Sequence, residues 1–156
     1  MQETFITKSD QETIALGFRL GSKLRGGGFI ALTGDLGGGK TQFTKGIAKA
    51  LGITETVVSP TFTIERIYPS PRHSSTEYKF STGSGWNPVL HHFDFYRTQN
   101  DQEIAESIKD LSSDPDAIIV VEWPENIEGI LPEKYTAINF KYLDENEREI
   151  TVEEHL

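Results

Sequence analysis

The most constraining feature of this chain is a junction in which an apolar run, a glycine-rich turn and a helical pattern follow one another directly. Phe29-Ile30-Ala31-Leu32-Thr33 reads as a buried strand and leads into Gly34-Asp35-Leu36-Gly37-Gly38-Gly39-Lys40-Thr41. From Lys40 to Leu51 apolar residues recur at helical spacing (Phe43, Ile47, Ala48, Leu51), and Gly52 stands at the expected stop. The turn has the form G-x-x-x-x-G-K-[ST], which chance gives in about one chain in a hundred of such composition. The flanking strand and helix lengthen those odds much further, because the chemistry needs both. Glycines let successive backbone N–H groups converge on phosphate oxygens, and the helix N-terminus adds its partial positive charge. The junction therefore predicts a P-loop. In it, Leu36, Gly37, Gly38 and Gly39 cradle the phosphates of a nucleotide. Lys40 is expected as a solvent-facing cation reaching the β- and γ-phosphates, and the Thr41 hydroxyl as a ligand to magnesium.

A P-loop needs acidic company for its metal. Ala117-Ile118-Ile119-Val120-Val121-Glu122 is the clearest buried strand, and it puts a carboxylate at a strand's C-terminal end, where ligands bind in α/β sheets. Glu122 is the candidate for the magnesium shell and for orienting an attacking water; Asp94, ending Val89-Leu90-His91-His92-Phe93, is a second candidate at a similar edge. Ser59-Pro60-Thr61-Phe62-Thr63 follows the P-loop helix, where Thr61 is placed either to contact the γ-phosphate and metal or simply to shape a turn. His91 and His92 are adjacent, so on a strand they face opposite ways and do not chelate one ion; both are read as structural.

The remainder supports one α/β domain over residues 1–156, a three-layer sandwich of P-loop NTPase type around a mostly parallel sheet. Ser9-Asp10-Gln11-Glu12 has the form of a capping box opening a helix towards Leu24. Thr61 to Tyr68 and Val89 to Asp94 read as strands, and Asp101 to Asp110 as a helix. Tyr135 to Tyr142 reads as a strand with Ile138, Phe140 and Tyr142 on one face, pairing with Glu149 to Val152. Between them Pro69 to Pro88 is rich in Ser, Thr, Gly and Pro, with Tyr78, Phe80 and Trp86 among them, and is expected as a long surface loop or irregular hairpin.

Composition narrows the function. The formal net charge is -9, from 15 basic and 24 acidic residues, which disfavours direct binding of nucleic acid. No apolar stretch approaches the roughly 18 residues that span a bilayer, so no membrane partner is expected. The first residues carry neither a basic region nor an apolar core, so no secretion signal is expected. Cysteine is absent, which is compatible with a reducing cytoplasm, the expected location.

Four motifs in order carry a resemblance to a known family: Gly34 to Thr41, Ser59 to Thr63, His92-Phe93-Asp94-Phe95-Tyr96-Arg97 and Val121-Glu122-Trp123-Pro124-Glu125. Together they resemble the bacterial TsaE (YjeE) family, small ATPases required for making threonylcarbamoyladenosine in tRNA. The resemblance runs from about Ser9 to Val152. It implies ATP or ADP with Mg2+ as cofactors and phosphate contacts along Gly34 to Thr41. It also implies a switch-like loop at Ser59 to Thr61, Asp94 as an acid of the nucleotide site, Glu122 at the metal and Trp123 close by. It further implies TsaB- and TsaD-like partners, with tRNA engaged only indirectly. The chain departs from the family pattern at Pro69 to Pro88, where members usually make a short turn, and after Arg97, where Ile104 to Leu111 replaces a Leu-Gly-Leu-type helix end.

Two other classes share a P-loop. A small-molecule kinase adds a lid supplying arginines to the transferring phosphate, whereas this chain has six arginines and no cluster of them. A nucleotide-dependent interaction module without significant hydrolysis is the other alternative. A GTPase needs a base-reading [NT]-K-x-D late in the chain; Thr7-Lys8-Ser9-Asp10 has the letters but precedes the P-loop.

Overall fold

A computed structural model gives the architecture and describes residues 1–71 and 86–156. Seven strands form one mixed sheet in the order β1-β7-β6-β2-β5-β4-β3. They span Gln2–Thr7 (β1), Gly28–Gly34 (β2), Glu65–Pro69 (β3), Val89–Asp94 (β4), Ala117–Glu122 (β5), Tyr135–Tyr142 (β6) and Arg148–His155 (β7). The four central strands β6, β2, β5 and β4 run parallel, while β3, β7 and β1 join antiparallel at the flanks. Among the described residues three helices complete the fold: α1 (Asp10–Gly21), α2 (Lys40–Ala50) and α3 (Gln102–Leu111).

The central strands read as unbroken apolar runs because both of their faces are covered. Along β2, Ile30 and Leu32 join Leu16, Phe43 and Ile47 in a core beneath α1 and α2. Phe29 and Ala31 point the other way, into a second core with Ile108 of α3. β5 divides likewise, Ile118 and Val120 against Ile119 and Val121, and every one of its residues is buried. Each such Ile or Val contributes about 1.5–3 kcal/mol by leaving water, so these strands hold the sheet in place and fix their own C-terminal ends. The result is the expected three-layer α/β arrangement.

Helix α1 starts where the capping-box pattern put it: the Ser9 hydroxyl accepts from Glu12 N–H at 3.1 Å, and Glu12 returns a bond to the backbone N–H of Lys8. It ends at Gly21 rather than at Leu24. It lies on α2 at backbone distance, since a Cβ on Gly46 would stand 2.0 Å from the Ile14 carbonyl oxygen. Strand β1, which sequence patterning does not reveal, pairs with β7 from Gln2↔Glu153 to Thr7↔Arg148. β7 is also longer than expected, and Tyr142 at the end of β6 is exposed.

The expected strand from Thr61 to Tyr68 begins only at Glu65. Thr61 to Thr63 is a turn closed by Thr63 N–H and Ile64 N–H on the Pro60 carbonyl, and Ile64 is left-handed at φ 68, which no strand tolerates. Much of the Pro69 to Pro88 segment, with Tyr78 and Phe80, lies outside the described residues. Trp86 is within them: its indole N–H donates to the Pro115 carbonyl at 2.9 Å, and its ring packs against the α1–α2 core. No helix among the described residues is long and apolar enough to cross a membrane.

Candidate functional site

Strands β2, β4 and β5 are parallel neighbours, so their C-terminal ends share one edge of the sheet. At that edge lies a cleft of about 370 Å³. It is lined by Leu36, Gly37, Gly38, Gly39, Lys40, Thr41, Thr61, Asp94 and Glu122, all put forward from the sequence, whereas Gly34 and Asp35 at the start of the glycine-rich turn do not line it. Asp10, Gln42, Ser59, Tyr96, Trp123 and Arg148 line it as well.

The loop after β2 is shaped by backbone that only glycine tolerates. Gly34 has φ 111, and a Cβ there would stand 2.0 Å from the Phe140 carbonyl oxygen, so the loop turns directly against β6. Asp35 N–H donates to that same carbonyl at 3.0 Å, and the Asp35 carboxylate accepts from Tyr142 N–H at 3.0 Å. Gly39 is left-handed at φ 99 and begins α2 without a side-chain cap. The first-turn N–H groups are thus presented to the cleft with the positive end of the helix dipole behind them.

Arg148 ties the loop's tip to the β6–β7 turn. Its Nε donates to the Gly37 carbonyl at 2.9 Å, and its terminal nitrogens donate to the carbonyls of Asp144, Glu145 and Glu147. Sequence reasoning missed this arginine, and no local signal marks it, because it bonds across the chain to a glycine carbonyl.

Lys40 departs from the expected solvent-facing cation. It is 6% exposed, and its Nζ donates to the Gly34 carbonyl at 2.8 Å and the Asp35 carbonyl at 3.0 Å. The ammonium also lies 4.7 Å from the centre of the Trp123 ring, a cation–π contact. Burial lowers its pKa from the ordinary lysine value, against the opposing pull of Glu122, Glu125, Asp94 and Asp35. A loop that wraps its lysine in backbone carbonyls holds the ammonium at the cleft by hydrogen bonds rather than by solvation.

The two carboxylates are held differently. Asp94 Oδ2 accepts from the Thr61 hydroxyl at 2.8 Å and the Ser59 hydroxyl at 3.2 Å, and its Oδ1 accepts from Tyr96 N–H at 2.8 Å. This fastens the Ser59 to Thr61 loop to the end of β4. Glu122 Oε1 sits 2.9 Å from His92 Nε2, and both side chains are buried. The two histidines do face opposite ways, but His92 is no remote core residue: it reaches the site through Glu122. His91 instead meets Glu65 at 3.2 Å.

Trp123 follows Glu122 in the left-handed conformation, at φ 58 and ψ 48, an arrangement costing about 1–3 kcal/mol for a bulky residue. Its N–H donates to the Leu32 carbonyl at 3.3 Å and its ring packs on Tyr96, with centroids 5.1 Å apart. The strain turns the indole over Lys40 while Pro124 opens a short 3-10 turn, Pro124–Asn126.

The donor set suits a small, hard cation that keeps waters and phosphate oxygens in its shell. Thr41 and Glu122 offer oxygen ligands at one cleft, whereas no cluster of three or more His, Cys, Asp or Glu able to cage an ion exists among the described residues.

Comparison with known proteins places this geometry. The family described as "Threonylcarbamoyl adenosine biosynthesis protein TsaE" matches residues 7–150. The tRNA threonylcarbamoyladenosine biosynthesis protein TsaE of Bacillus subtilis is 37% identical over 149 residues, covering 93% of this chain and 81% of that protein. Its namesake from Treponema pallidum is 32% identical over 147 residues, covering 94% and 97%. The crystal structure of Bacillus subtilis YdiB superposes with a TM-score of 0.72 at 30% identity, covering 100% of this chain and 87% of that one. The match runs from the end of β1 into β7 and takes in the whole cleft, so this chain belongs to the TsaE family of tRNA threonylcarbamoyladenosine biosynthesis.

Proposed function

We propose that the chain binds ATP with magnesium in this cleft and hydrolyses it weakly, in support of the complex that makes threonylcarbamoyladenosine in tRNA. The observation that carries the reading is the meeting of a complete P-loop with Asp94 and Glu122 at one sheet edge. Magnesium, when bound, neutralises charge on the β- and γ-phosphate oxygens. The chain's residues do the rest. N–H groups of Leu36 to Lys40 receive the phosphates, and Lys40 places its charge beside them. Thr41 and Glu122 supply oxygens to the metal. Glu122 also orients the attacking water, while Asp94 holds Thr61 of the switch-like loop towards the γ-phosphate.

A phosphotransferase is less well supported. Among the described residues Arg148 is the one arginine lining the cleft, and its guanidinium is committed to backbone carbonyls of Gly37 and the β6–β7 turn. The partners in this reading are TsaB- and TsaD-like proteins, with tRNA held by them; a chain of net charge -9 is poorly suited to hold it directly. Phosphate release from ATP by the full chain, measured alone and with those partners, tests the proposal. Release that requires magnesium and rises with the partners is expected. Phosphate transfer to a small acceptor instead of to water would replace it with the kinase reading.

A further inference from the structure

We propose that His92 is a positioning residue for Glu122, holding one carboxylate oxygen by a buried hydrogen bond so that the other stays available to metal or water. The inference rests on the hydrolytic reading above and deepens it.

His92 is 0% exposed and Glu122 is 4% exposed, so the 2.9 Å contact between Nε2 and Oε1 is sheltered from water. A carboxylate oxygen accepts, so the bond is one that Nε2–H donates to Oε1. Nδ1 is buried and has no hydrogen-bond partner among the described residues. A buried polar atom without a partner costs stability, and a Phe or Leu would fill the same volume without that cost. Among the described residues the single polar contact of the His92 side chain is therefore the one to Glu122. Oε1 is the engaged oxygen, and Oε2 makes no hydrogen bond among the described residues. Because β4 and β5 are paired residue for residue, with His92 opposite Val120 and Asp94 opposite Glu122, the ring approaches from within the sheet and not from the cleft. It orients the carboxylate without competing for the space where ligand would lie. Outer partners of this kind, when lost, cost about 10- to 100-fold in activity or metal affinity.

The test uses the full chain and the variants His92→Leu, His92→Gln, Glu122→Gln and the combinations of the last with each His92 change. His92→Leu should lower kcat for ATP hydrolysis about 10- to 100-fold while leaving KM and calorimetric ATP affinity little changed. His92→Gln, which keeps an N–H donor, should recover part of the loss. In the Glu122→Gln background neither His92 change should lower turnover further. Independently of turnover, ring-nitrogen NMR without nucleotide or metal should show His92 as the Nε2–H tautomer, with a signal that moves in Glu122→Gln. If His92→Leu does not fold, the His92→Gln cycle and the NMR measurement carry the test. Wild-type turnover in the His92 variants, additive losses in the cycle, or the opposite tautomer would overturn the positioning role and leave the hydrolytic reading standing. A wild-type chain that releases no phosphate in single-turnover conditions would overturn both.

Discussion

Asp94 and Glu122 are register partners, each the last residue of its strand, side by side on the parallel pair β4–β5. Two carboxylates thus stand at one edge by the pairing of two buried strands, and what distinguishes them is what holds them. Asp94 is bound by three donors from its own surroundings, two of them hydroxyls of the Ser59 to Thr61 loop. Glu122 is held through Oε1 by His92.

That difference separates their expected roles. Glu122→Ala should lower ATP hydrolysis by at least ~10²-fold, the lower end for a lost acid–base or positioning group, with a much smaller effect on nucleotide affinity. Asp94→Asn should act on the loop as well, since an amide serves poorly as acceptor for both hydroxyls, and should weaken affinity and turnover together. Single-turnover hydrolysis beside calorimetric binding of ATP distinguishes the two. Normal hydrolysis in Glu122→Ala would transfer the water-orienting role to Asp94.

Lys40 gives the site a pH dependence whose sign follows from its burial. Desolvation lowers its pKa below the ordinary lysine value in the protein by itself. Bound phosphates favour the charged form and raise it again. Between those two pKa values the free protein is neutral at Lys40 and the complex is charged, so binding takes up a proton and affinity falls as pH rises. Calorimetry in buffers of different ionisation enthalpy should detect that uptake at pH values below the ordinary lysine pKa. Lys40→Ala should abolish both tight binding and the uptake. An affinity that rises with pH over that range would contradict the placement of Lys40 at the phosphates.

Trp123 should report on the nucleotide. Its ring lies over the Lys40 ammonium and against Tyr96, so any ligand that draws Lys40 towards phosphates changes the field on the indole. The other tryptophan, Trp86, sits elsewhere, bonded to the Pro115 carbonyl with Arg25 5.7 Å from its ring centre. Adding ATP and magnesium should therefore change emission in the wild type, and Trp123→Phe should remove most of the change. A response that survives the substitution would assign the signal to Trp86 and take the 121–125 segment away from the ligand.

What was legible in the sequence is what local chemistry dictates. The glycine-rich junction declares itself because backbone geometry at Gly34 and Gly39 and the position of Lys40 are set within a few residues. Glu122 and Asp94 are legible because buried strands end at them. The rest depends on contacts that spacing does not encode. Lys40 lies folded onto the carbonyls of Gly34 and Asp35, where composition alone suggests an exposed cation. Arg148 reaches Gly37 from 111 residues away, and His92 reaches Glu122 across a strand pair. Strand β1 is mostly exposed and, among the described residues, pairs only with β7, so it carries no apolar pattern to find.

The segment between β3 and β4 should be replaceable without loss of nucleotide binding. Its ends already meet: Pro69 pairs with Val89, and Ser70 N–H donates to the Pro88 carbonyl at 3.1 Å. The antiparallel pair therefore closes before residues 72–85 begin, and shortening a connection changes the closure cost little, by about 0.6 kcal/mol per doubling of length. β3 is the outer strand, and the cleft lies at the far ends of β4 and β5, beyond Phe93 and Val121, whereas Pro69 and Val89 pair at the opposite end of β4. Trp86 must be kept, because its indole covers the α1–α2 core and holds the Pro115 carbonyl. Replacing residues 72–85 by a short Gly-Asn turn while retaining Trp86 should leave ATP affinity unchanged and the melting temperature close to that of the wild type. Trp86→Ala, by contrast, should lower the melting temperature, since it uncovers part of a buried core. Loss of ATP binding in the shortened chain would show that the replaced residues belong to the domain's core after all.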